Sequence, residues 1–366
     1  MDLTEIVKKI RAPDRKPDVT VMHDFFLDHF VTYIGNGGTF ESYIKKINEL
    51  AKFGGGEISE TKQQILRGGK GFNASSALAS LGAHVHYIGK TSKLGLYLMQ
   101  FFAKGKDIDL THVKTTGEMA MTVAIELKYS DRIVNLMFNY PGSVADFSFE
   151  DLEPEDLNVI RETEYLLLTQ WSMNTRGTEL AEKIFEIPKS GCRKFFDPGD
   201  PIKRKGEIKE LIERVFIPKK FDVLGVNEGE AIWFASYFDE KYLDMVRQMR
   251  IEELGIECAK CLRDELNIRV DLHTPYFSAS IGRDGEWFVP TFDVNVLRVT
   301  GAGDAWQAGN AYGELIGLEP EERLLLANAT AAYYISNPKG EHGTLQEIKK
   351  FIISTKLRPL KIYRKS

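Results

Sequence analysis

The chain has 366 residues, 43% hydrophobic and 28% charged, which is the composition of a globular protein with a large apolar core. Its 48 Lys and Arg residues against 53 Asp and Glu residues leave a net charge of −5, which excludes the basic surface that duplex nucleic acid requires. Three cysteines are too few for a secreted disulfide framework, and no run of about 18 apolar residues occurs. The composition therefore predicts a cytoplasmic protein with no nucleic-acid partner and no membrane span.

The first predicted element is a short amphipathic helix at the N-terminus. Leu3, Ile6, Val7 and Ile10 recur at helical spacing, so one face of this helix is expected to pack on the body of the protein. Acidic residues interrupt the apolar positions, which is not the pattern of a signal peptide.

Apolar runs of β type and helical patterns then alternate along the chain. Such alternation is typical of βαβ units, which build a doubly wound, mainly parallel sheet with helices on both faces. Ligands of these sheets bind beyond the carboxyl ends of the strands, so polar residues that follow a strand are candidate functional residues. The predicted strands are 18–22, 84–88, 165–169, 194–197 and 222–226. The predicted helices are 71–81, 94–103, 176–185, 208–215 and 228–237.

Two segments break this alternation. Residues 31–67 carry two glycine clusters around a helical piece at 41–53, and residues 119–140 read as a hairpin of strands 121–127 and 133–138. Together they predict a small second lobe over the sheet. The alternative is that both segments are ordinary surface excursions.

A Cys-x-x-Cys pair, Cys258 and Cys261, lies in a predicted helix over 251–265. No second pair and no histidine at ligand spacing accompanies it, which argues against a zinc site. The strand-to-helix context of a redox pair is also missing. The spacing predicts two small residues on a buried helix face.

The strongest candidate motif is Thr300-Gly301-Ala302-Gly303-Asp304, which leads into a helical pattern through Leu315. Backbone N–H groups at a helix start favour an anion, and glycines let the backbone approach it closely. The carboxylate of Asp304 beside that anion site can accept a proton from an attacking hydroxyl, which is the arrangement that phosphoryl transfer to an alcohol needs. The alternative is a glycine turn with a helix-capping Asp.

Two other phosphate-binding motifs are excluded. A dinucleotide-binding fingerprint needs a third glycine where Trp306 stands, and it belongs in a first βαβ unit rather than late in the chain. A P-loop ending at Gly89-Lys90-Thr91 needs a glycine where His84 stands.

Three weaker motifs follow other predicted strands, and each has a helix-capping or turn alternative. Gly68-Gly69-Lys70-Gly71-x-Asn73 offers bare backbone, a cation and an amide to a polyhydroxylated or anionic ligand. Asn227 and Glu230 share one helix face at the end of a strand, where a carboxylate can hold a metal–phosphate through water. Asp24 and Asp28 lie just past the first predicted strand.

In this order the motifs resemble those of the ribokinase family, also called the pfkB carbohydrate and nucleoside kinases. The resemblance covers about residues 18–344, and its two signatures are the glycine motifs at 68–73 and 300–304. It implies one ribokinase-like α/β domain over 1–366 with a small β-rich lid, formed by about 29–67 and 115–141. It also implies transfer of the terminal phosphoryl group of a nucleotide, ATP or ADP, to a sugar or nucleoside hydroxyl with Mg²⁺, and a homodimer through the lid.

The resemblance assigns roles to the motif residues. Asp304 corresponds to the catalytic base of the family, and Gly301, Ala302 and Gly303 correspond to its anion hole. The positions that correspond to acceptor-binding residues are Asp28, Gly69, Lys70 and Asn73. The positions that correspond to the nucleotide, phosphate and metal site are Asn227, Glu230 (to Mg²⁺ through water), Asn337 and Gly340.

Two departures from the family pattern leave questions open. Arg298 stands where the family commonly has an Asp that helps to hold a monovalent cation, so we expect either that Arg298 replaces the cation's charge or that the cation site is absent. Residues 271–278 differ from the family's glycine-containing segment over the nucleotide, which leaves ATP and ADP open as donors.

The acceptor is open as well. Phe25, Phe26 and Trp171 can stack on a nucleoside base, with core packing as the alternative. Three cationic side chains can bind the phosphate of a sugar phosphate such as ribose 1-phosphate: Arg67, Lys128 and Arg132. The alternative is that they belong to a solvated lid surface. A catalytically silent sugar-binding protein on the same fold is the competing function.

Overall fold

The structure, a computed structural model, describes residues 2–130 and 132–360, except for the side chain of Arg132. Strands and helices alternate along most of this range. The strands are β1 Asp18–His23, β2 Phe26–Tyr33, β3 Thr61–Gly68, β4 His84–Lys90, β5 Ile108–Asp109, β6 Val113–Lys114, β7 Ala120–Tyr129, β8 Arg132–Tyr140, β9 Tyr165–Thr169, β10 Arg193–Asp197, β11 Val223–Val226, β12 Arg269–His273, β13 Phe277–Ile281 and β14 Glu286–Pro290. The helices are α1 Leu3–Lys9, α2 Phe40–Lys52, α3 Lys70–Leu81, α4 Lys93–Phe102, α5 Pro154–Glu162, α6 Gly177–Ile184, α7 Ile208–Leu211, α8 Glu228–Ala235, α9 Lys241–Met245, α10 Ile251–Leu266, α11 Ala302–Leu315, α12 Pro320–Ser336 and α13 Leu345–Ser354.

The large sheet has the strand order β14-β13-β12-β11-β10-β9-β1-β4-β5, and β6 also pairs with β4. Every pairing from β12 to β5 is parallel, whereas β13 and β14 add an antiparallel edge. The chain order reverses around β1, which lies between β9 and β4, so the loops after these strands enclose a crevice where α/β proteins bind ligands.

Two apolar cores cover the two faces of this sheet. One contains side chains of α6, α8 and α10, such as Leu180, Ala231 and Leu262. The other contains side chains of α3, α11 and α12, such as Leu78 and Leu326. The predicted doubly wound α/β class, a mainly parallel sheet with helices on both faces, is therefore confirmed.

The predicted strands of the large sheet are confirmed to within two residues, and most predicted helices are also in place. The predicted helix 208–215 is wrong in its second half, because α7 ends at Leu211 and a π-helical turn, Ile212–Phe216, follows. Cys258 lies buried on α10 with Cys261 partly buried beside the same core, as the spacing predicts.

A second sheet, the lid sheet, has the strand order β3-β2-β7-β8. The predicted hairpin is present as β7 and β8, but strands β2 and β3 were not predicted within the glycine-flanked segment. Four of the eight side chains of β3 are exposed in succession, so its sequence lacks the alternating apolar pattern that marks a half-buried strand. Pairing with β2 makes β3 a strand.

No helix among residues 2–130 and 132–360 is long and apolar enough to cross a lipid bilayer.

A buried charge network joins β12, β13, α11 and α12. The carboxylate of Asp271 is fully buried and accepts hydrogen bonds from Ser280 (2.6 Å) and Asn310 (2.8 Å), and one oxygen lies 2.9 Å from Nη1 of Arg323. Burial by itself raises the pKa of Asp271, but the guanidinium groups of Arg269 and Arg323 outweigh it and hold the pKa below its usual range. Asp271 is therefore ionised and has a structural role. This first residue of the 271–278 segment lies inside the fold.

We expect Asp271→Asn to lower the free energy of unfolding by about 3 kcal/mol or more, because it leaves the buried guanidinium of Arg323 without its counter-ion, whereas Arg269 keeps Glu314. Urea denaturation followed by circular dichroism measures the loss. Asp264→Asn, at an exposed aspartate of α10, is the matched control and is expected to change stability by at most about 0.5 kcal/mol. Equal losses for the two variants contradict the assignment.

Candidate active site

The candidate site lies where the carboxyl ends of the parallel strands meet the N-termini of three helices. Strands β1, β10, β11 and β12 end at this edge, and α3, α8 and α11 begin there. Because each helix start leaves backbone N–H groups unpaired, this edge favours anions.

The N-terminus of α11 can be built only from residues without large side chains. Gly301 has φ +84°, in the left-handed region, and a Cβ at this position would lie 2.9 Å from the Tyr334 ring. A Cβ at Gly303 would lie 3.1 Å from the imidazole of His273. The predicted glycines therefore shape the bare helix start that precedes Asp304.

Asp304 lies in the first turn of α11 and is buried, with 7% of its surface exposed. Nδ2 of Asn73 donates a hydrogen bond of 3.0 Å to Oδ2 of Asp304, which joins the two predicted glycine motifs. Burial raises the pKa of Asp304 to about 7, although the charge of Lys70 and the hydrogen bond from Asn73 oppose that rise. The carboxyl group is thus close to half ionised at neutral pH.

Lys70 holds an ammonium among carboxylates. Its Nζ lies 3.0 and 3.2 Å from the two oxygens of Asp197 and 3.9 Å from Oε1 of Glu230. Burial by itself lowers the pKa of Lys70, but the charges of Asp197, Glu230 and Asp304 outweigh it and hold the pKa above its usual value. Lys70 is therefore charged, and it is oriented towards these carboxylates.

Asp24 and Asp28, predicted as a pair, have different environments. Asp24 is fully buried and accepts hydrogen bonds from the backbone N–H groups of Lys70 (2.6 Å) and Gly71 (2.9 Å) and from the hydroxyl of Thr169 (2.6 Å). Asp24 therefore anchors the start of α3. Asp28, on β2, lines a cavity instead, and burial raises its pKa to about 6.

The glycines before α3 bring this motif close to β1 and β2. A Cβ at Gly68 would lie within 2.5 Å of all three atoms of the Asp28 carboxylate. Gly69 has φ +88°, and a Cβ there would lie 2.5 Å from the carbonyl oxygen of Asp24. Any side chain at these positions displaces Asp28 or Asp24.

Asn227 and Glu230 form the helix cap that the sequence offered as the alternative role. Oδ1 of Asn227 accepts from the backbone N–H of Glu230 and Oε2 of Glu230 accepts from the backbone N–H of Asn227, both at 2.9 Å. Oε1 of Glu230 is left facing Lys70. Burial raises the pKa of Glu230, so a nearby cation is needed to keep it ionised.

Two cavities meet at the start of α11. The larger, the lid cavity, has a volume of about 610 Å³ and lies between the lid sheet and the segment 296–300; Asp28, Asn73 and Thr300 line it. The second, the helix cavity, has a volume of about 400 Å³ and is lined by Asn227, Ala302, Gly303 and mainly apolar side chains. The residues from Thr300 to Gly303 therefore stand between two compartments, each large enough for a small molecule.

Arg298 lies at the rim of the lid cavity with its guanidinium turned to main-chain oxygens. Nη1 donates to the carbonyl oxygens of Tyr334 (2.9 Å) and Asn337, and Nη2 donates to that of Pro338 (3.2 Å). A cluster of carbonyl oxygens is a typical cation site, and here the arginine side chain supplies the cation.

Asn337 and Gly340 form a turn after α12 rather than part of either cavity lining. Oδ1 of Asn337 accepts from the backbone N–H of Lys339 (2.9 Å), and the carbonyl of Gly340 accepts from Arg67 (3.2 Å). The structure brings both residues next to Arg298 and Arg67, so their assignment to the nucleotide stays a prediction.

The remaining candidates for the acceptor do not converge on one site. Phe25, Phe26 and Trp171 are all buried, which agrees with the packing alternative. Arg67 lines the lid cavity, whereas Lys128 lines a separate, smaller cavity. The side chain of Arg132 lies outside the described part of the chain.

Known proteins match this chain over most of its length. The family model described as pfkB family carbohydrate kinase matches residues 47–252. The chain belongs to the pfkB family of carbohydrate kinases.

Individual relatives and structures agree with this membership. The 5-dehydro-2-deoxygluconokinase of Geobacillus thermodenitrificans is 27% identical over 319 residues, which cover 81% of this chain and 87% of the relative. Ribokinase from Cryptococcus neoformans in complex with ADP has a TM-score of 0.68 at 16% identity, covering 92% of this chain and 99% of that one. Arabidopsis thaliana ribokinase complexed with ribose and ATP has a TM-score of 0.66 at 18% identity, again covering 92% and 99%. These likenesses confirm the ribokinase fold.

Membership makes this protein a carbohydrate kinase, a phosphotransferase with an alcohol group as acceptor. Two residues of its site that the motif search missed are Asp197, the partner of Lys70, and His273, whose buried Nε2 has no hydrogen-bond partner among the described residues. Both are the last residues of parallel strands, β10 and β12. The rule that polar residues at strand ends are candidates could have found them.

We expect Asn73→Leu to raise the pKa of Asp304 above its value in the unaltered kinase. The substitution removes the hydrogen bond that stabilises the ionised carboxylate, so ionisation requires a higher pH. The pKa can be followed by ¹³C NMR of the aspartate carboxyl carbons, with the Asp304 signal assigned by its loss in Asp304→Asn. Asn158→Leu, at an exposed position of α5, is the control, and an unchanged or lower pKa in Asn73→Leu contradicts the geometry.

Proposed function

We propose that this carbohydrate kinase transfers the terminal phosphoryl group of ATP or ADP to a hydroxyl of a sugar held in the lid cavity. The observation that carries the proposal is the position of the α11 N-terminus, where Thr300 lines the lid cavity, Ala302 and Gly303 line the helix cavity, and Asp304 follows in the first turn. One cavity suits an acceptor and the other suits a nucleotide.

In this proposal Asp304 is the catalytic base. Its carboxylate accepts the proton of the acceptor hydroxyl while the acceptor oxygen forms a bond to phosphorus and the bond from phosphorus to the leaving nucleotide oxygen breaks. The backbone N–H groups of Gly301, Ala302 and Gly303 stabilise the charge on the transferring group. The raised pKa of Asp304 suits a base that works near neutral pH, because its conjugate acid is then stable enough to hold the proton.

Side chains that line the lid cavity position the acceptor. The carboxylate of Asp28 and Oδ1 of Asn73, a buried oxygen without a hydrogen-bond partner, are the acceptors available for sugar hydroxyl groups. Gly69 lets the backbone pass close to Asp24, which follows β1. Lys70 acts at longer range, because its positive charge lowers the pKa of Asp304.

The donor occupies the helix cavity. Its apolar lining, which includes Phe292, Trp306 and Ile335, suits a nucleobase, and Nε2 of His273 is a free polar atom beside Gly303 for the phosphate chain. Asn227 lines the same cavity.

Mg²⁺ fits the chemistry of this region because it prefers carboxylate and water oxygens. Oε1 of Glu230 and the carboxylate of Asp197 are the oxygens that would hold it, Glu230 through water. When bound, Mg²⁺ neutralises charge on the phosphates. Asn337 and Gly340 act from the turn after α12, where their carbonyl oxygens contact Arg298 and Arg67.

The acceptor that we propose first is a monosaccharide or a sugar acid. Curated relatives are named 5-dehydro-2-deoxygluconokinase or ribokinase. The lid cavity offers Lys62 and Arg67 for a carboxylate alongside Gln64 and Asn135 for hydroxyl groups. A nucleoside is less well supported, because the three aromatic side chains expected to stack on a base are packed in the fold.

A homodimer through the lid is part of the same proposal. Ile65, Ile133 and Phe138 of the lid sheet are exposed, which supports a partner on that sheet.

A coupled assay over a panel of acceptors tests the proposed function. The panel contains 5-dehydro-2-deoxygluconate, ribose, other pentoses and hexoses, sugar phosphates and nucleosides, each with ATP and with ADP. Transfer to a sugar or sugar acid is expected. Ligand binding without transfer to any acceptor would favour the silent sugar-binding protein, and preferred transfer to a nucleoside or sugar phosphate would contradict the acceptor class.

We expect Asp304→Asn to lower kcat by about 10²–10⁴-fold, because the amide cannot accept the hydroxyl proton. Acceptor binding, measured by calorimetry, is expected to change only slightly, since the amide keeps an oxygen for the hydrogen bond from Asn73. Asp284→Asn, at an exposed aspartate between β13 and β14, is the matched control. A variant with much of the original kcat shows that Asp304 is not the base.

We expect turnover without potassium to equal turnover with potassium, because the guanidinium of Arg298 already supplies a cation to the carbonyl oxygens of the 334–338 segment. The measurement is kcat in potassium-free buffer with and without added KCl. Arg298→Ala is expected to lose about 10-fold or more in kcat and to gain a response to potassium. Strong potassium activation of the unaltered kinase contradicts the assignment.

A further inference from the structure

Two of the seven histidines, His86 and His112, lie together beside β5, the strand at one lateral edge of the large sheet. His86 is the third residue of β4, and its register partner on β5 is Asp109. His112 follows three residues later. One potential ligand atom from each of His86, Asp109 and His112 lies within 4.8 Å of the others.

The distances between these atoms suit a small metal ion. Oδ2 of Asp109 lies 3.3 Å from Nδ1 of His86 and 3.8 Å from Nε2 of His112. Zinc bonds to nitrogen and oxygen are about 2.0–2.2 Å, so neighbouring ligand atoms of a tetrahedral site lie about 3.4 Å apart. The two distances from Oδ2 of Asp109 lie within a few tenths of an ångström of that spacing, and the two nitrogens, at most 4.8 Å apart, reach it with small side-chain rotations.

The outer partners of the histidines also match a metal site. Oδ1 of Asp156 lies 2.7 Å from Nδ1 of His112, which leaves Nε2 directed to Asp109. Oδ1 of Asp18 lies 3.4 Å from Nε2 of His86, which leaves Nδ1 directed to Asp109. A carboxylate on the far nitrogen of a ligating histidine fixes its tautomer and is the usual arrangement around bound zinc.

Hydrogen bonds also orient the carboxylate of Asp109. Its Oδ1 accepts from the backbone N–H (2.9 Å) and the hydroxyl (2.7 Å) of Thr111, so Oδ2 is the oxygen left for the cluster. The three side chains are between 13 and 26% exposed, so the cluster is held by its surroundings and still open to solvent on one side. Water can complete the coordination from that side.

We propose that His86, Asp109 and His112 bind one divalent transition-metal ion that takes nitrogen and oxygen ligands, with Zn²⁺ as the best match. The ion links β5 and the segment after it to β4. Its role is structural, because none of these three residues lines the lid cavity or the helix cavity, and it does not depend on the proposed reaction.

The same side chains would form a purely ionic network if no metal bound. The hydrogen bond with Asp18 raises the pKa of His86, and a protonated His86 pairs with Asp18 and Asp109 without any ion. The test must therefore measure metal binding itself.

Calorimetric titration of the full chain with Zn²⁺, in buffer containing excess Mg²⁺, tests the proposal. One ion per chain is expected, together with a rise in Tm. His86→Gln and His112→Gln are each expected to lower the affinity at least about ten-fold, and Asp156→Asn, which acts through His112, by about 10–100-fold. Kinase activity without added Zn²⁺ is expected to be the same for all variants.

His84→Gln is the matched control, because His84 lies on the same strand with its own carboxylate partner, Asp107, at 2.8 Å. It is expected to keep its affinity for Zn²⁺. Absorption of the Co²⁺-substituted chain is expected to lack thiolate charge-transfer bands, which separates this site from Cys258 and Cys261.

Three outcomes would overturn the proposal: no Zn²⁺ binding above that of His86→Gln, thiolate bands with Co²⁺, or an equal loss in His84→Gln. Circular dichroism verifies that each variant is folded. Should one histidine variant not fold, Asp109→Asn removes the shared ligand in its place and is expected to abolish binding.

Discussion

Lys70 carries the one ammonium around which Asp197, Glu230 and Asp304 are arranged, and this buried charge balance is the constraint on which the site depends. Burial removes hydration from these carboxyl groups and raises the pKa of Glu230 and of Asp304, so both are driven towards the neutral form. The ammonium opposes that tendency. Asp24 fixes the backbone of Lys70 through hydrogen bonds at the start of α3, and thereby connects the charge balance to the central strand β1.

The division of the site into two cavities follows from the way α11 begins. Gly301 and Gly303 let the helix start pass close to Tyr334 and His273, and this bare backbone reaches the point where the cavities meet. The lid sheet covers one cavity with polar side chains of β2 and β3, whereas the other is walled by apolar residues of the core. Polar and apolar compartments on two sides of one anion-binding helix end suit a reaction between a sugar and a nucleotide.

Much of the fold and of the candidate site was predictable from the sequence, because their signals are local. The strands of the parallel sheet are buried on both faces and therefore continuous apolar runs, and both glycine motifs are contiguous. The strand β3 was not predictable, since its exposed side chains carry no apolar pattern. Nor were the different environments of Asp24 and Asp28, because only the packing of β1 and β2 against Gly68 and Gly69 separates a helix anchor from a cavity residue.

The sequence by itself determined the fold class, the family and the helix start that carries Asp304, since apolar periodicity and glycine spacing act over a few residues. Tertiary structure alone decided which distant groups meet. It brought three pairs of distant groups into hydrogen-bond contact: Asn73 with Asp304, Lys70 with Asp197, and Arg298 with the carbonyl oxygens at the end of α12. It also gathered His86, Asp109 and His112 beside the β5 edge of the large sheet. Contacts of this kind depend on strand order and register, which place residues from separate segments side by side and leave no trace in local spacing.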